Sequence, residues 1–232
     1  MNKNILNEIL IEWDNNPDIE DSGIIKASDV EKKLPNNRSF NVNGVSFNMI
    51  YVDDFPEGNF WIGETPVTQE LWFAVMNEGN NTPSYNDPQA PMDHIDWNDC
   101  QTFISKLNKL TNKKFKLPSK DEWLFAARNK NNDKYYYAGS YHIDEVAWYL
   151  QNSEHIMPVK LLKPNKLGIY DMSGNVEEWL NTKTNRGFSQ CLVIGGCRNF
   201  TPTGCVISPD PWINEYYPSS AYDCVGFRLA LK

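Results

Sequence analysis

The apolar positions of this 232-residue chain change their period twice. Near the start, Ile5, Leu6, Ile9, Leu10 and Trp13 recur at helical spacing and make one apolar stripe. Ser28 and Glu31 then fit a capping box, opening a short helix that Pro35 ends. Residues 1–40 therefore read as a helical N-terminal arm, packed on the domain that follows or on a partner, and so a route to an oligomer. From residue 41 the period falls to two. Val42, Val45, Phe47, Met49 and Tyr51 alternate with polar residues, and Phe60 and Ile62 resume beyond a turn at Pro56–Gly58, which predicts strands.

Helical spacing returns after Thr68, which can cap a helix through Leu71, Trp72, Val75 and Met76. Residues 77–93 are polar and Pro-rich, with no regular period. A second helix begins near Asp96 or Asn98 and carries Phe103, Ile104, Leu107 and Leu110 on one face. A third follows Pro118, with Ser119 and Glu122 as its capping box and Trp123, Leu124 and Ala127 facing inward. After about residue 130 Gly and Pro break the chain into loops and short strands. Helices first and irregular β structure later make an α+β fold for residues 41–232, with much coil. There is no internal repeat and no low-complexity tract.

Composition narrows the function classes. Hydrophobic residues are 41% of the chain and aromatics 13%, which suits a globular domain. Net charge is −8 and no basic run is interleaved with aromatics, so a phosphate backbone finds no electrostatic footing and nucleic acid is excluded as a main partner. No apolar run approaches the roughly 20 residues that span a bilayer, which excludes membrane insertion. The N-terminus lacks the apolar core and cleavage site of a signal peptide, so the chain is expected to be cytoplasmic as synthesised. Five Cys, at 100, 191, 197, 205 and 224, are an odd number without C-x-x-C spacing, which argues against a zinc ribbon or a full disulfide framework. Cys100 falls on the second helix as a small buried hydrophobe.

Candidate chemistry gathers in Lys166–Trp179, which reads KLGIYDMSGNVEEW. Ser173-Gly174-Asn175 is turn chemistry, because Gly and Asn accept positive φ. A tight turn followed by Glu177 and Glu178 offers clustered carbonyls and an anionic ligand, as a hard cation such as calcium requires. The same residues also fit a structural turn with a solvated Glu pair. Adjacent carboxylates on a strand point to opposite faces, so they make a poor acid–base couple.

GIYDMSGNVEEW resembles the signature of the formylglycine-generating enzyme (sulfatase-modifying factor) family, and other blocks follow in the family's order. They are Pro66-Val67-Thr68-Gln69, Asp96-Trp97-Asn98-Asp99-Cys100, Lys116-Leu117-Pro118-Ser119, Glu122-Trp123 and Ala126-Ala127-Arg128. Further on come Val146-Ala147-Trp148-Tyr149, Asn152-Ser153, Pro164-Asn165, Gly195-Gly196 and Gly226-Phe227-Arg228-Leu229-Ala230. The resemblance covers residues 42–232 and implies a C-type-lectin-like fold of the formylglycine-generating-enzyme type. It also implies structural calcium, held by carbonyls of Gly174 and Val176 with the Glu178 carboxylate, and at a second site by Asn152 and Ser153. Glu177 stands where the family has Trp, which adds charge beside the first site.

Family members that oxidise a substrate cysteine hold copper(I) between two cysteines just past a Gly-Gly-Ser motif, and soft thiolates suit that ion. Counted from Gly195-Gly196, Cys205 falls on the second of these, Phe200 falls on the first, and Cys197 replaces the serine. An oxidase built on this chain would use Cys197 and Cys205, with copper as its cofactor. A branch that binds iron through histidines is ruled out, since His94, His142 and His155 form no H-x-x-x-H pair. No G-x-S-x-G elbow, Walker loop or H-E-x-x-H helix occurs.

A binding function rests on the last forty residues. Between Gly196 and Gly226 lie Arg198, Asn199, Phe200, Trp212, Asn214, Glu215, Tyr216, Tyr217, Ser219, Ser220, Tyr222 and Asp223. Rigid aromatics beside adaptable polar groups are the mixture found in paratopes; an ordinary polar loop with core aromatics has the same composition. The segment is similar in place to that of the variable proteins of diversity-generating retroelements, which display a rewritten C-terminal surface between Gly-Gly and Gly-Phe-Arg. That resemblance implies non-catalytic recognition of a protein or glycan through about residues 197–224, on a phage particle or at a cell surface.

Overall fold

The computed structural model describes residues 37–77, 81–183 and 190–232. The stripe at Ile5–Trp13 and the capping box at Ser28–Glu31 lie outside them. The first strand, β1 (Arg38–Val42), is followed by β2 (Val45–Val52) and β3 (Phe60–Gly63), so alternation is paired from Arg38 onward.

Helix α1 (Gln69–Met76) starts at Thr68, whose hydroxyl accepts from the Leu71 amide. Helix α2 (Trp97–Thr111) starts at Asp96, which exchanges capping bonds with Asp99, and α3 (Lys120–Ala127) starts at Ser119, which does the same with Glu122. These caps satisfy amides that have no intrahelical partner. Leu110 departs from the expected inward face: it is 53% exposed, because α2 buries only Cys100, Phe103, Ile104 and Leu107. Cys100 is fully buried, as a small hydrophobe on a helix should be.

The later strands are short: β4 (Phe115–Lys116), β5 (Ala147–Trp148), β6 (Ser173–Gly174), β7 (Glu177–Lys183), β8 (Cys191–Ile194), β9 (Ile213–Tyr216), β10 (Val225–Gly226) and β11 (Ala230–Leu231). They join three sheets, ordered β1-β2-β3-β11-β4, β10-β7-β8-β9 and β5-β6. Strand β11 fills the gap between β3 and β4, with Ala230 opposite both Ile62 and Lys116.

Apolar residues lie on both sides of the five-stranded sheet. Met49, Phe115 and Leu231 join one cluster with Trp72, Phe103 and Phe227; Ile50, Val52, Phe60 and Ile62 join another with Trp123 and Leu180. Trp72 and Phe103 stack at 5.3 Å and Phe227 meets Phe103 edge-on at 5.3 Å, the offsets that aromatic quadrupoles favour.

The aperiodic segment before α2 is ordered by polar side chains. Gln69 donates to the Tyr85 and Pro91 carbonyls and accepts from the Asp87 amide. Asp93, fully buried, accepts from the Ser84 amide and hydroxyl and from the Cys224 amide, tying this loop to the C-terminal segment.

Candidate functional site

The Ser173-Gly174-Asn175 turn is built from contacts that only these residues permit. Gly174 has φ +73°, and a Cβ there would stand 2.3 Å from the Trp148 carbonyl oxygen. Asn175, at φ 62°, accepts from the Met157 amide and donates to the Met157 carbonyl, both at 2.9 Å. One amide side chain thus replaces a strand neighbour for residue 157.

Beyond the turn, β7 points Glu177 and Glu178 to opposite faces, and both are buried, so the solvated pair is corrected. The Glu178 carboxylate accepts from Arg228 Nε and Nη2, each at 2.7 Å, and from Trp123 Nε1 at 2.6 Å. The remaining Arg228 donors go to the carbonyls of Gly63, Tyr170 and Asp171. Burial is tolerated because each charge has its counter-ion and its hydrogen bonds.

This arrangement does not fit Glu178 as a calcium ligand, since both oxygens and the charge are taken by Arg228. The second expected calcium pair is also engaged locally. Asn152 accepts from the Tyr149 amide and donates to the Ala147 carbonyl, and the Ser153 hydroxyl donates to the His155 carbonyl. Gly174 sits beside that turn through its pairing with Trp148, and Val176 is buried with Ala90 and Ile156. Among the described residues, no three His, Cys, Asp or Glu side chains are grouped to hold a metal ion.

Glu177 faces the C-terminal segment. It accepts from Asn214 Nδ2 at 2.8 Å and from the Tyr216 hydroxyl at 3.3 Å, and burial pushes its pKa up to about 7. Tyr216 stacks on Tyr222 at 4.1 Å and meets Trp179 edge-on at 6.0 Å. Burial likewise holds the Tyr216 phenol above its ordinary pKa.

The structure brings Cys205 beside Cys197 and buries both. Cys205 Sγ lies 3.9 Å from the Cys197 carbonyl oxygen, and the Cys224 sulfur accepts from Asn199 Nδ2 at 3.3 Å. Burial pushes Cys205 up to about 12, and the neighbouring Cys224 together with burial raises Cys197. Phe200 packs against the cluster of Tyr137, Val146, Tyr149 and Cys205.

The expected ligand residues divide into two groups. Asn214 and Tyr216 bond to Glu177, and Tyr222 stacks on Tyr216. Trp212, 56% exposed, joins Asn199, Phe200, Thr201, Thr203 and Gly204 around a recess of about 240 Å³. Trp212 Nε1 donates to Asn214 Oδ1 at 3.1 Å, which links the two groups. Tyr217, Ser219 and Asp223 are exposed, with Asp223 lying 3.9 Å from His94, while Glu215 and Ser220 are half-buried. Arg198 donates to the Glu154 carbonyl and to Asn199 Oδ1.

Sequence reasoning missed Arg228, Glu177 and Cys224 as organising residues. The available signal was a lone arginine inside the apolar run Val225–Leu231, which demands a buried counter-charge.

A family model described as sulfatase-modifying factor enzyme 1-like domain matches residues 51–232. Chaperone protein LppX of Paenibacillus barcinonensis is 28% identical over 173 residues, covering 52% of this chain and 61% of that protein. The inactive C-alpha-formylglycine-generating enzyme 2 of Bos taurus is 25% identical over 183 residues, covering 71% and 57%. The chain thus spans about three fifths of each of these relatives. Among solved structures, Treponema denticola variable protein 1 superposes with a TM-score of 0.72 at 23% identity, over 85% of this chain and 99% of that one. The fold is the C-type-lectin-like fold of the formylglycine-generating-enzyme type.

Proposed function

Because the chain belongs to the sulfatase-modifying factor enzyme 1-like family, we propose that it is a non-catalytic member that binds a ligand through the surface formed by about residues 197–224. The observation that carries this reading is Trp212, an exposed indole fixed by Asn214 at the rim of a recess with apolar walls and a polar edge. A rigid aromatic whose ordering is already met binds at low entropic cost. The recess suits one apolar side chain or one sugar ring.

The names of the relatives support this reading. One is called a chaperone protein and another an inactive enzyme, which favours a polypeptide ligand over a glycan. The oxidase alternative needs Cys197 and Cys205 to face one copper ion, and Phe200 standing at the family's first copper-cysteine position opposes it. The setting we propose is a phage particle or cell surface, where a displayed face meets other proteins. Among the described residues no helix is long and apolar enough to cross a membrane.

The test is a random-peptide display library and a glycan array, each probed with the full chain and with Trp212→Ala. We expect peptides selected by the full chain to bind the variant about tenfold or more weakly, as for a central aromatic anchor. Selected ligands that bind both proteins equally would overturn the assignment of this face. Loss of a substrate-peptide thiol on incubation with copper(I) and the full chain would establish the oxidase instead. Removal of residues 1–36 with gel filtration tests the arm as an oligomer contact.

A further inference from the structure

Asn199, Phe200, Thr201, Thr203, Gly204 and Trp212 surround the recess, and four of the six carry a polar group on the side chain. By composition it would suit a hydroxyl-rich ligand. Its hydrogen bonds point the other way. Trp212 Nε1 donates to Asn214 Oδ1 at 3.1 Å. Asn199 donates to the Cys224 sulfur at 3.3 Å and accepts from Arg198 Nη1 at 2.8 Å. The Thr201 and Thr203 hydroxyls bond one another at 3.0 Å. Backbone groups are engaged as well. The Gly204 amide donates to the Thr201 carbonyl, the Phe200 amide to the Cys197 carbonyl, and the Phe200 carbonyl accepts from the Leu150 amide. Of the side-chain donors around the recess, the second amide hydrogen of Asn199 and one threonine hydroxyl hydrogen are left over among the described residues.

The apolar area is supplied by two rings. A Cβ on Gly204 would stand 2.7 Å from the Phe200 ring, so glycine is what lets that ring pack against the backbone. Phe200 and the 56% exposed indole of Trp212 then offer the surface that a ligand can cover.

The indole donor is withdrawn by a residue outside the recess. Asn214 Nδ2 donates to Glu177 Oε1 at 2.8 Å, while its Oδ1 takes the indole hydrogen. An ionised carboxylate has no proton to give, so the Asn214 amide must turn its nitrogen to Glu177 and its oxygen to Trp212. Reversed, the amide would set N–H against N–H at the indole. Buried Glu177 thereby decides what the rim presents.

We propose that the recess selects an apolar side chain of a polypeptide and discriminates against sugar rings, with Asn214 as the specificity-determining residue. The proposal rests on the ligand-binding reading of this face and narrows it. A sugar brings hydroxyls that lose water on entry, and each one buried without a partner weakens binding about fivefold or more. An apolar side chain makes no such demand and covers both rings.

The full chain, labelled with nitrogen-15, is titrated at pH 8 with N-acetyl-phenylalanine amide, N-acetyl-leucine amide, and the methyl glycosides of glucose and mannose. At that pH Glu177 is ionised. The readout is the Trp212 indole N–H resonance, assigned by its loss in Trp212→Phe. We expect saturable shifts with the two amides, at Kd values about tenfold or more below those of the glycosides. Asn214→Leu frees the indole donor, and the preference should shrink about threefold or more, with far-UV circular dichroism reporting the fold. Glycosides that bind the wild-type protein as tightly as the amides would overturn the proposal while leaving the face a ligand site. A preference unchanged in folded Asn214→Leu would overturn the role of Asn214. A Trp212 resonance that no probe moves would overturn the proposal together with the reading of the face.

Discussion

Arg228 and Glu178 face each other through two hydrogen bonds of 2.7 Å, with both side chains withdrawn from solvent. The pair joins the strand after the Gly-Asn turn to the last apolar run and, through the Gly63 carbonyl, to β3. Removing one partner leaves a buried charge uncompensated. Arg228→Met and Glu178→Gln are each expected to lower unfolding free energy by about 3–5 kcal/mol, read from urea midpoints. The double variant should recover part of that loss, and a purely additive loss would refute the coupling.

The same pairing bears on calcium. With the Glu178 charge neutralised by a guanidinium, thermal midpoints of the full chain with and without millimolar calcium should coincide. A rise that disappears in Glu178→Gln would restore the ligand role.

Glu177 gives the pH dependence. Its folded pKa, about 7, lies above the ordinary carboxylate value because burial penalises the charge. The folded state therefore holds a proton that the unfolded state releases between about pH 4.5 and 7, and stability falls as pH rises through that window. Above it both states are ionised and the full penalty stands, about 3 kcal/mol at 1.36 kcal/mol per unit. Glu177→Gln should thus be more stable than wild type at pH 8, with the advantage shrinking toward pH 4.5. Asp171, raised to about 6 by burial, acts in the same direction but is common to both proteins. A difference in urea midpoint independent of pH would refute this account.

Two glycines separate backbone strain from crowding. Gly168 has φ +82° with open space around it, and Gly168→Ala should cost about 1 kcal/mol, the strain alone. Gly174→Ala adds a clash with the Trp148 carbonyl and should cost about 2–5 kcal/mol in all. Paired thermal melts check the difference.

Trp212→Ala, by contrast, should change stability by no more than about 0.5 kcal/mol, since the indole is largely solvated. A larger drop would mean that the ring serves the fold and not a ligand.

The helix starts were legible because caps are local: Asp96 with Asp99 and Ser119 with Glu122 lie three residues apart and meet as read. The family blocks carried the fold class. What escaped was the work done between distant residues. Glu178 and Arg228 are fifty positions apart, Asp93 and Cys224 more than a hundred, and no period or spacing connects such partners. Two adjacent carboxylates suggest a surface, whereas Glu178 has the buried Arg228 and Glu177 the half-buried Asn214 and Tyr216. The candidate ligand list mixed the Trp212 rim with the Tyr216–Tyr222 stack, because composition does not say which aromatics line a recess and which stack on one another.

Strand β11 has a consequence for how the chain comes off the ribosome. Its two residues are wedged between β3 and β4, which are not neighbours without it. Until Leu231 has been synthesised, β3 shows an unpaired edge, and Trp72 and Phe103 lack Phe227 for most of that time. From the synthesis of β3 to that of β11 the nascent protein therefore carries an adhesive strand edge, and chaperone demand should be concentrated in that interval.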